Sequence, residues 1–231
     1  DFDVPLDELR DKKLFTTQPD DIVHITVTAP DGSKVALDGA RSETPAEEAG
    51  KPLTIAVSWA IASPSGFSAD DSVRTYARHI SNARTKAFVP AAKGPKGGLG
   101  EATWHISART HEGKSIGIRF ADSGDPAWGQ VDGTTEWVQL DRHVLKNLQR
   151  TLAELRDKTL WAIPQGEITQ VAFGPKEGKS VTVNRRPEGW FMADGGPADM
   201  GNHLKTLATF KAKRYAKTTE VEAAQAAISA P

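Results

Sequence analysis

One tetrapeptide, Leu-Arg-Asp-Lys, occurs twice in this chain, first as Leu9, Arg10, Asp11 and Lys12 and again as Leu155, Arg156, Asp157 and Lys158. The offset of 146 positions, from residue 9 to residue 155, continues without a gap and aligns Leu14 with Leu160 and Phe15 with Trp161. Farther along, it aligns Ile22 with Ile168, Ile25 with Val171, Gly32 with Gly178 and Val35 with Val181. Similarity that persists at one offset predicts two copies of a single supersecondary unit.

Each copy has the pattern of a β-hairpin, a further strand and a helix. In the first copy, strands are predicted over residues 22–27, 34–37 and 53–61, with a polar segment, 39–51, expected to be an exposed loop. The first helix is predicted from five apolar residues at helical spacing, which are Val73, Tyr76, Ala77, Ile80 and Ala83. The second copy repeats this order without the long insertion, with strands predicted over 167–173, 180–184 and 189–192.

Between the copies, the pattern changes to short strands. Alternating residues separated by turn residues predict an antiparallel meander with strands over 103–108, 115–120, 127–131 and 136–140. Asp141 is placed to cap one continuous helix that carries Leu145, Leu148, Leu152 and Leu155 and runs into the second Leu-Arg-Asp-Lys.

These patterns predict an α+β protein in which helices pack on twisted antiparallel sheets. The predicted organisation is a first repeat unit over residues 1–92, a Gly/Lys-rich connector over 93–100, the meander with its helix over 101–152, a second repeat unit over 153–219 and an Ala-rich tail over 220–231.

Charge and cysteine content remove several function classes. Lys and Arg number 29 against 30 Asp and Glu, so the chain has no overall field that would recruit nucleic acid. Because cysteine is absent, thiolate metal sites and Cys nucleophiles are excluded. The chain begins with Asp rather than Met, so we expect an upstream segment to be missing.

No pattern predicts a catalytic, cofactor-binding or metal-ligating residue. The six His residues form no HExxH motif, and the closest candidate for a metal pair is His105 with His111, across a turn at Glu112. No serine lies in a nucleophile elbow, and the glycine-rich segment over residues 94–100 lacks the phosphate-binding pattern.

The repeated Leu-Arg-Asp-Lys is interpreted as structural. Its Leu and the Leu-aromatic pair that follows can anchor an element to a sheet, while Arg and Asp can form a hydrogen-bonded bracket. A pair of ligand sites is the alternative, but one active centre does not need two distant and identical brackets.

Four tryptophans offer a second kind of site. Exposed indole rings bind sugar faces well, so Trp59, Trp104, Trp128 and Trp137 are candidates for stacking on a ligand. Core packing is the alternative and is favoured, because Trp59 and Trp190 occupy equivalent places in the two copies and Trp161 replaces Phe15.

Taken together, these motifs resemble a known bacterial family of domains of unknown function, numbered 4340. The resemblance rests on Leu-Arg-Asp-Lys-x-Leu-aromatic, an Ile/Val-rich hairpin, a Trp on a strand and Ala-Asp before an amphipathic helix. Residues 39–51 and 93–100 depart from the family's compact spacing. The resemblance implies an N-terminal membrane anchor, a location outside the cytoplasm and genes beside ABC-transporter components of the gliding-motility type. It supplies no catalytic residue.

The leading hypothesis is therefore a non-catalytic extracytoplasmic accessory or scaffold domain, held at the inner membrane by a segment absent from this chain. Its expected partners are proteins of an ABC-type transport complex, with no nucleic acid and no cofactor. The alternative is a ligand-binding module for a glycan or another envelope component. A hydrolase comes third and would require His105, His111 and an acid to converge. The oligomeric state is left open.

Overall fold

The computed structural model describes residues 9–45, 53–122, 124, 126–174 and 180–212. The chain forms two compact units, Asp1–Asp157 and Lys158–Pro231. Antiparallel sheets and short helices build both units, so the predicted α+β class is confirmed. The second unit begins five positions after residue 153, where the second repeat was predicted to start, and the predicted tail over 220–231 lies outside the described residues.

The first unit contains an eight-stranded sheet in the order β3-β2-β1-β5-β6-β7-β8-β4, and every pairing is antiparallel. The strands are β1 (Ile22–Thr28), β2 (Lys34–Thr44), β3 (Thr54–Ser63), β4 (Ala87–Val89), β5 (Thr103–Thr110), β6 (Ser115–Ala121), β7 (Ala127–Val131) and β8 (Trp137–Leu140). The predicted meander is confirmed as β5 to β8, and its first strand pairs with β1, which joins it to the first hairpin.

The expectation of a loop from residue 39 is wrong for residues 39–44. These residues continue β2, and their partners run from Gly39↔Trp59 to Thr44↔Thr54 on β3. Their polar composition has a physical reason. β1 pairs with β2 only as far as His24↔Asp38, so beyond that point β2 pairs with β3 alone among the described strands, and most of its residues there are exposed.

Helix α1 (Ser72–Ser81) covers part of the sheet. The five residues that predicted it are all buried, and they join strand residues such as Ile25 and Ile118 in one hydrophobic core. The buried hydroxyl of Tyr76 donates a hydrogen bond to the carbonyl oxygen of Leu148 at 2.8 Å, which connects α1 to the segment after the meander.

That segment holds two short helices, α2 (Arg142–Leu148) and α3 (Leu152–Leu155), so the prediction of one continuous helix is wrong. The chain leaves the helix at Gln149, where φ is −74° and ψ is 97°. It restarts because Thr151 and Glu154 form a capping box, in which each side chain meets the backbone N–H of the other.

The Gly/Lys-rich segment over 93–100 lies within the first unit. At Gly94 the backbone lies against the indole ring of Trp137, because a Cβ built there would be 2.0 Å from Trp137 Nε1. Glycine is therefore required at this position by close approach of a side chain to the backbone.

The second unit is smaller and holds two sheets. Strands β10 (Gln170–Phe173), β11 (Val181–Arg186) and β12 (Gly189–Met192) form one antiparallel sheet, as the sequence predicted. Strands β9 (Thr159–Ala162) and β13 (Thr209–Lys211) form the other, and helix α4 (Gly201–Ala208) runs directly into β13. Among the described residues of this unit, the buried hydrophobic side chains are Val183, Met200 and Ala208.

Candidate functional site

The first Leu-Arg-Asp-Lys makes side-chain contacts to two other segments, residues 84–88 and Glu136. The Arg10 guanidinium donates to both carboxylate oxygens of Glu136, at 3.0 and 2.8 Å, and lies 3.7 Å from the ring centroid of Phe88. Hydrogen bonding from Arg10 holds the pKa of Glu136 below its usual value. Lys12 Nζ donates to the Lys86 carbonyl oxygen at 2.9 Å.

Asp11 has different hydrogen-bond partners from those of Arg10. Its carboxylate accepts from the Lys13 backbone N–H at 3.1 Å and from Arg84 at 2.8 Å, and these two groups, the backbone N–H first, lower the pKa of Asp11. Arg10 and Asp11 thus each have a partner that is distant in sequence, one just before β8 and one just after α1.

The second Leu-Arg-Asp-Lys contacts residues 67–70 through its backbone and through the Arg156 side chain. Leu155 is 1% exposed, whereas Leu9 is 71% exposed, so only the second Leu packs in the core. Arg156 forms a backbone bridge with Ala69, and its guanidinium lies 5.1 Å from the Phe67 ring centroid. Asp157 N–H donates to the Ser68 carbonyl oxygen at 2.7 Å. The two motifs therefore contact different segments of the chain, and only the second places its Leu in the core.

The four candidate tryptophans fall on two faces of the large sheet. Trp59 and Trp104 pack against the hydrophobic core. Trp128 and Trp137 alternate with buried core residues of β7 and β8, which places them on the opposite, outer face. The register pairs Trp128 with Gln139 and Trp137 with Gln130, so the two indoles are diagonal neighbours.

Polar residues continue this outer face across the sheet. The register places His105, Arg119, Gln130 and Trp137 in one cross-strand row. Beside the row, Asp132 Oδ2 is 2.9 Å from His105 Nε2. We define the outer platform as Trp128, Trp137 and this polar row. Indole rings next to donors and acceptors suit a sugar or a planar polar ligand, although the Gly94 backbone covers part of the Trp137 ring.

His105 and His111, the candidate metal pair that the sequence offered, do not lie together. His111 follows the end of β5, where its backbone N–H donates to the Asp21 carbonyl oxygen at 2.9 Å. His111 lies six positions after His105 along the extended chain, so the two residues are about 20 Å apart. Among the described residues, no group of three or more His, Cys, Asp or Glu side chains is placed to hold a metal ion.

Sequence reasoning missed a polar cleft between α1 and α2. The cleft has a volume of about 250 Å³ and is lined by Arg78, His79, Asn82, Ala83, His143, Val144 and Asn147. Burial, and then the positive charge of Arg150, lower the pKa of His79. The sequence held no signal for this cleft, because the pairing of two helices distant in the chain cannot be read from either helix.

The three-stranded sheet of the second unit has one apolar face. Directly opposed residues share a face, and the apolar pairs Val171↔Val183, Phe173↔Val181 and Val183↔Met192 belong to it; at its end, Trp190 opposes Arg185. Val183 is 4% exposed, but Phe173 is 41%, Val181 52% and Met192 39% exposed. We call these exposed residues, Phe173, Val181 and Met192, the apolar edge.

Among the described residues, no helix is long and apolar enough to cross a membrane.

A family model described as "Domain of unknown function (DUF4340)" matches residues 59–228. The chain belongs to this family. The family resemblance predicted from the repeated motifs is thereby confirmed. The DUF4340 match begins at Trp59 and includes the outer platform, the cleft and the apolar edge, whereas the first hairpin precedes it. Comparisons with curated proteins and with solved structures returned no match.

Proposed function

We propose that the chain is a non-catalytic extracytoplasmic accessory or scaffold domain that binds a protein of an ABC-type transport complex through the apolar edge. The observation that carries this proposal is the exposure of Phe173, Val181 and Met192 on one face of a sheet whose centre, Val183, is buried. The tether at the inner membrane and the transporter partner come from the family resemblance.

The opposite face of the same sheet supports this choice of surface. There, Gln170 Nε2 donates to Asn184 Oδ1 at 2.8 Å, and the Arg186 guanidinium lies 5.0 Å from the Phe191 ring centroid. This face carries polar side chains at 170, 184 and 186 beside a half-buried Phe191, whereas the apolar edge exposes three large apolar side chains, which are unfavourable in water.

The energy available at the apolar edge is sufficient for it to act as the centre of an interface. Full burial of a Phe, Val or Met side chain is favourable by about 1.5–3 kcal/mol, so covering three half-exposed ones contributes about 3 kcal/mol. A stable interface needs about 1,000 Å² in total, so polar surface around this edge must contribute the rest.

We also infer that the two sequence copies are two copies of one structural unit. β1 pairs residue 24 with 38, and β10 pairs residue 170 with 184, which are the same positions advanced by 146. The paired side chains are hydrogen-bonded in both hairpins, His24 with Asp38 at 2.5 Å and Gln170 with Asn184 at 2.8 Å. The third strands correspond as well, because Trp59 opposes residue 39 and Trp190 opposes residue 185.

Backbone bonds at the ends of the copies support the same inference. The Lys12 carbonyl oxygen accepts from Thr85 N–H after α1, and the Lys158 carbonyl oxygen accepts from Ala212 N–H after α4, both at 2.8 Å. The chain has no cysteine, so paired Cys substitutions test the register. A 170/184 pair is expected to form a disulfide and a 170/185 pair is not; the reverse would contradict the inferred equivalence.

The functional test compares neighbouring positions on the two faces of β10. Tagged full-length protein carrying its natural upstream segment is purified from membranes as wild type, Phe173→Lys and Ala172→Lys. Both substituted residues are exposed, but only Phe173 belongs to the apolar edge. Transporter subunits should be recovered with wild type and Ala172→Lys and lost with Phe173→Lys. A freely soluble full-length protein without such a partner, or equal recovery in all three, would contradict the proposal.

The outer platform favours a second candidate function, the binding of a glycan or another envelope component. Its support is the diagonal placement of Trp128 and Trp137 beside the polar row. Titration with envelope glycans should change tryptophan fluorescence in the wild type and in Trp104→Phe, whose indole packs on the core. The response should vanish in Trp128→Ala. A fluorescence response that persists in Trp128→Ala would exclude the outer platform as the glycan-binding site.

A further inference from the structure

Strand β3 is a long edge strand of the eight-stranded sheet. It spans ten residues, Thr54–Ser63, and is hydrogen-bonded to β2 on one side. No residue in the described part of the chain pairs with its other side. The strand at the opposite edge, β4, has only three residues, Ala87–Val89.

A long unpaired edge strand usually has features that prevent it from pairing with other chains. Backbone N–H and C=O groups along a free edge can pair with any extended chain, and proteins usually block this with Lys, Pro or a bulge within the strand. β3 contains no charged residue and no proline. Its register shifts only at the end, where Ser63 opposes Ala36. The nearest charged pair, Arg41 with Glu43 on β2, is satisfied internally.

The side chains of β3 are sorted by face. Ile55, Val57, Trp59 and Ile61 alternate with small residues, and the small residues at 56, 58, 60 and 62 are all exposed. The apolar set is buried or half-buried on the core side. An added strand of the same composition would extend both faces without a mismatch.

We propose that a second copy of this chain pairs its own β3 antiparallel with this edge, with the two-fold axis passing at Ser58. This register opposes Ser58 to its own copy, Trp59 to Val57, Ala60 to Ala56 and Ile61 to Ile55. Every pair on the core side is apolar, and every pair on the outer side is small. Because β3 is uncharged, no like charges within the paired strands oppose each other, although Asp70, Asp71 and Arg74 line a cavity beside Ser58.

Self-complementarity identifies the occupant as a second copy. Antiparallel pairing of β3 with a copy of itself about Ser58 places every apolar side chain opposite an apolar one and every small side chain opposite a small one, as an isologous two-fold interface requires. β3 belongs to the first unit and the apolar edge to the second. Failure of the proposed dimer would therefore not contradict the proposed partner binding, and the reverse also holds.

Two substitutions at Ser58 test the dimer in the whole chain. In this cysteine-free protein, Ser58→Cys should give a disulfide-linked dimer on mild oxidation, because the two sulfurs would face each other across the axis. Ser107→Cys is the matched control, since β5 is hydrogen-bonded on both sides, to β1 and β6. Equal cross-linking of the two variants would overturn the proposal.

Charge reversal supplies the second measurement, by sedimentation equilibrium. Wild type should be dimeric, and Ser58→Lys or Ser58→Glu alone should weaken the dimer about tenfold by opposing like charges. Mixing the two variants should restore dimers, which a merely misfolded variant would not do. Ser107→Lys should leave the dimer unchanged. A wild type that is monomeric at every concentration, or a mixture without restored dimers, would refute the pairing.

Discussion

Replacing Arg10 by Ala should lower the stability of the first unit more than it alters any binding. The substitution removes the bidentate hydrogen-bonded ion pair with Glu136 and the stacking of the guanidinium on the Phe88 ring. The carboxylate and the guanidinium are both more than 40% exposed, so water screens the pair, and its contribution is about 0.5–1 kcal/mol. An exposed cation–π contact adds about 0.5–1 kcal/mol. The expected loss is therefore about 1–2 kcal/mol.

That loss corresponds to a decrease in melting temperature of about 2–8 °C for a protein of this size. Differential scanning calorimetry of wild type, Arg10→Ala, Glu136→Ala and the double variant isolates the pair, and a coupling energy of about 0.5–1 kcal/mol is expected. Arg10→Lys is the matched control, because it keeps the charge but cannot bind both carboxylate oxygens.

The pH dependence of this contribution has a defined sign. Since Arg10 lowers the pKa of Glu136 in the folded protein, the contribution is present above the unfolded pKa and disappears as the pH falls through the folded pKa. The difference between wild type and Arg10→Ala should shrink in acid. Unchanged melting in both Arg10→Ala and Arg156→Ala would refute the structural role of the repeated motif.

Three further predictions concern the helices. Tyr76→Phe leaves the Leu148 carbonyl oxygen without its buried donor and should cost about 1–2 kcal/mol in urea unfolding; no change would contradict the tie between α1 and α2. Thr151→Ala removes the capping box with Glu154 and should cost about 1 kcal/mol, measured by thermal unfolding, whereas Thr151→Ser should retain most of it. Burial lowers the pKa of His79, so the unfolded state binds more protons and stability should fall as pH decreases from 7 to 5. His79→Gln should flatten that slope, and an unaltered slope would exclude His79 as its source.

Local pattern predicted the strands because alternation and turn residues are properties of adjacent positions. The strand Ala127–Val131 has the predicted bounds, and the residues that predicted α1 are buried. The break at Gln149 was missed because Leu148, Leu152 and Leu155 keep helical spacing across it. The only signal was the capping box, which lies inside the apolar pattern.

The candidate surfaces were less predictable because they depend on contacts between distant segments. Alternation separates Trp128 from its neighbours on β7, but which face is buried depends on where α1 packs. The partners of Arg10 and Asp11, which are Glu136 and Arg84, lie more than 70 positions away in sequence. The apolar edge appears only once the register of β10, β11 and β12 is known, since that register decides which side chains are neighbours.

Site-specific photo-crosslinking in cells tests the central claim, docking through the apolar edge, most directly. A photoreactive residue is placed at position 173 or, as a control, at the neighbouring position 172 on the opposite face of β10. The proposal predicts covalent adducts with ABC-transporter subunits from position 173 and none from position 172. Adducts of equal yield from both positions, or no transporter adduct from position 173, would contradict it.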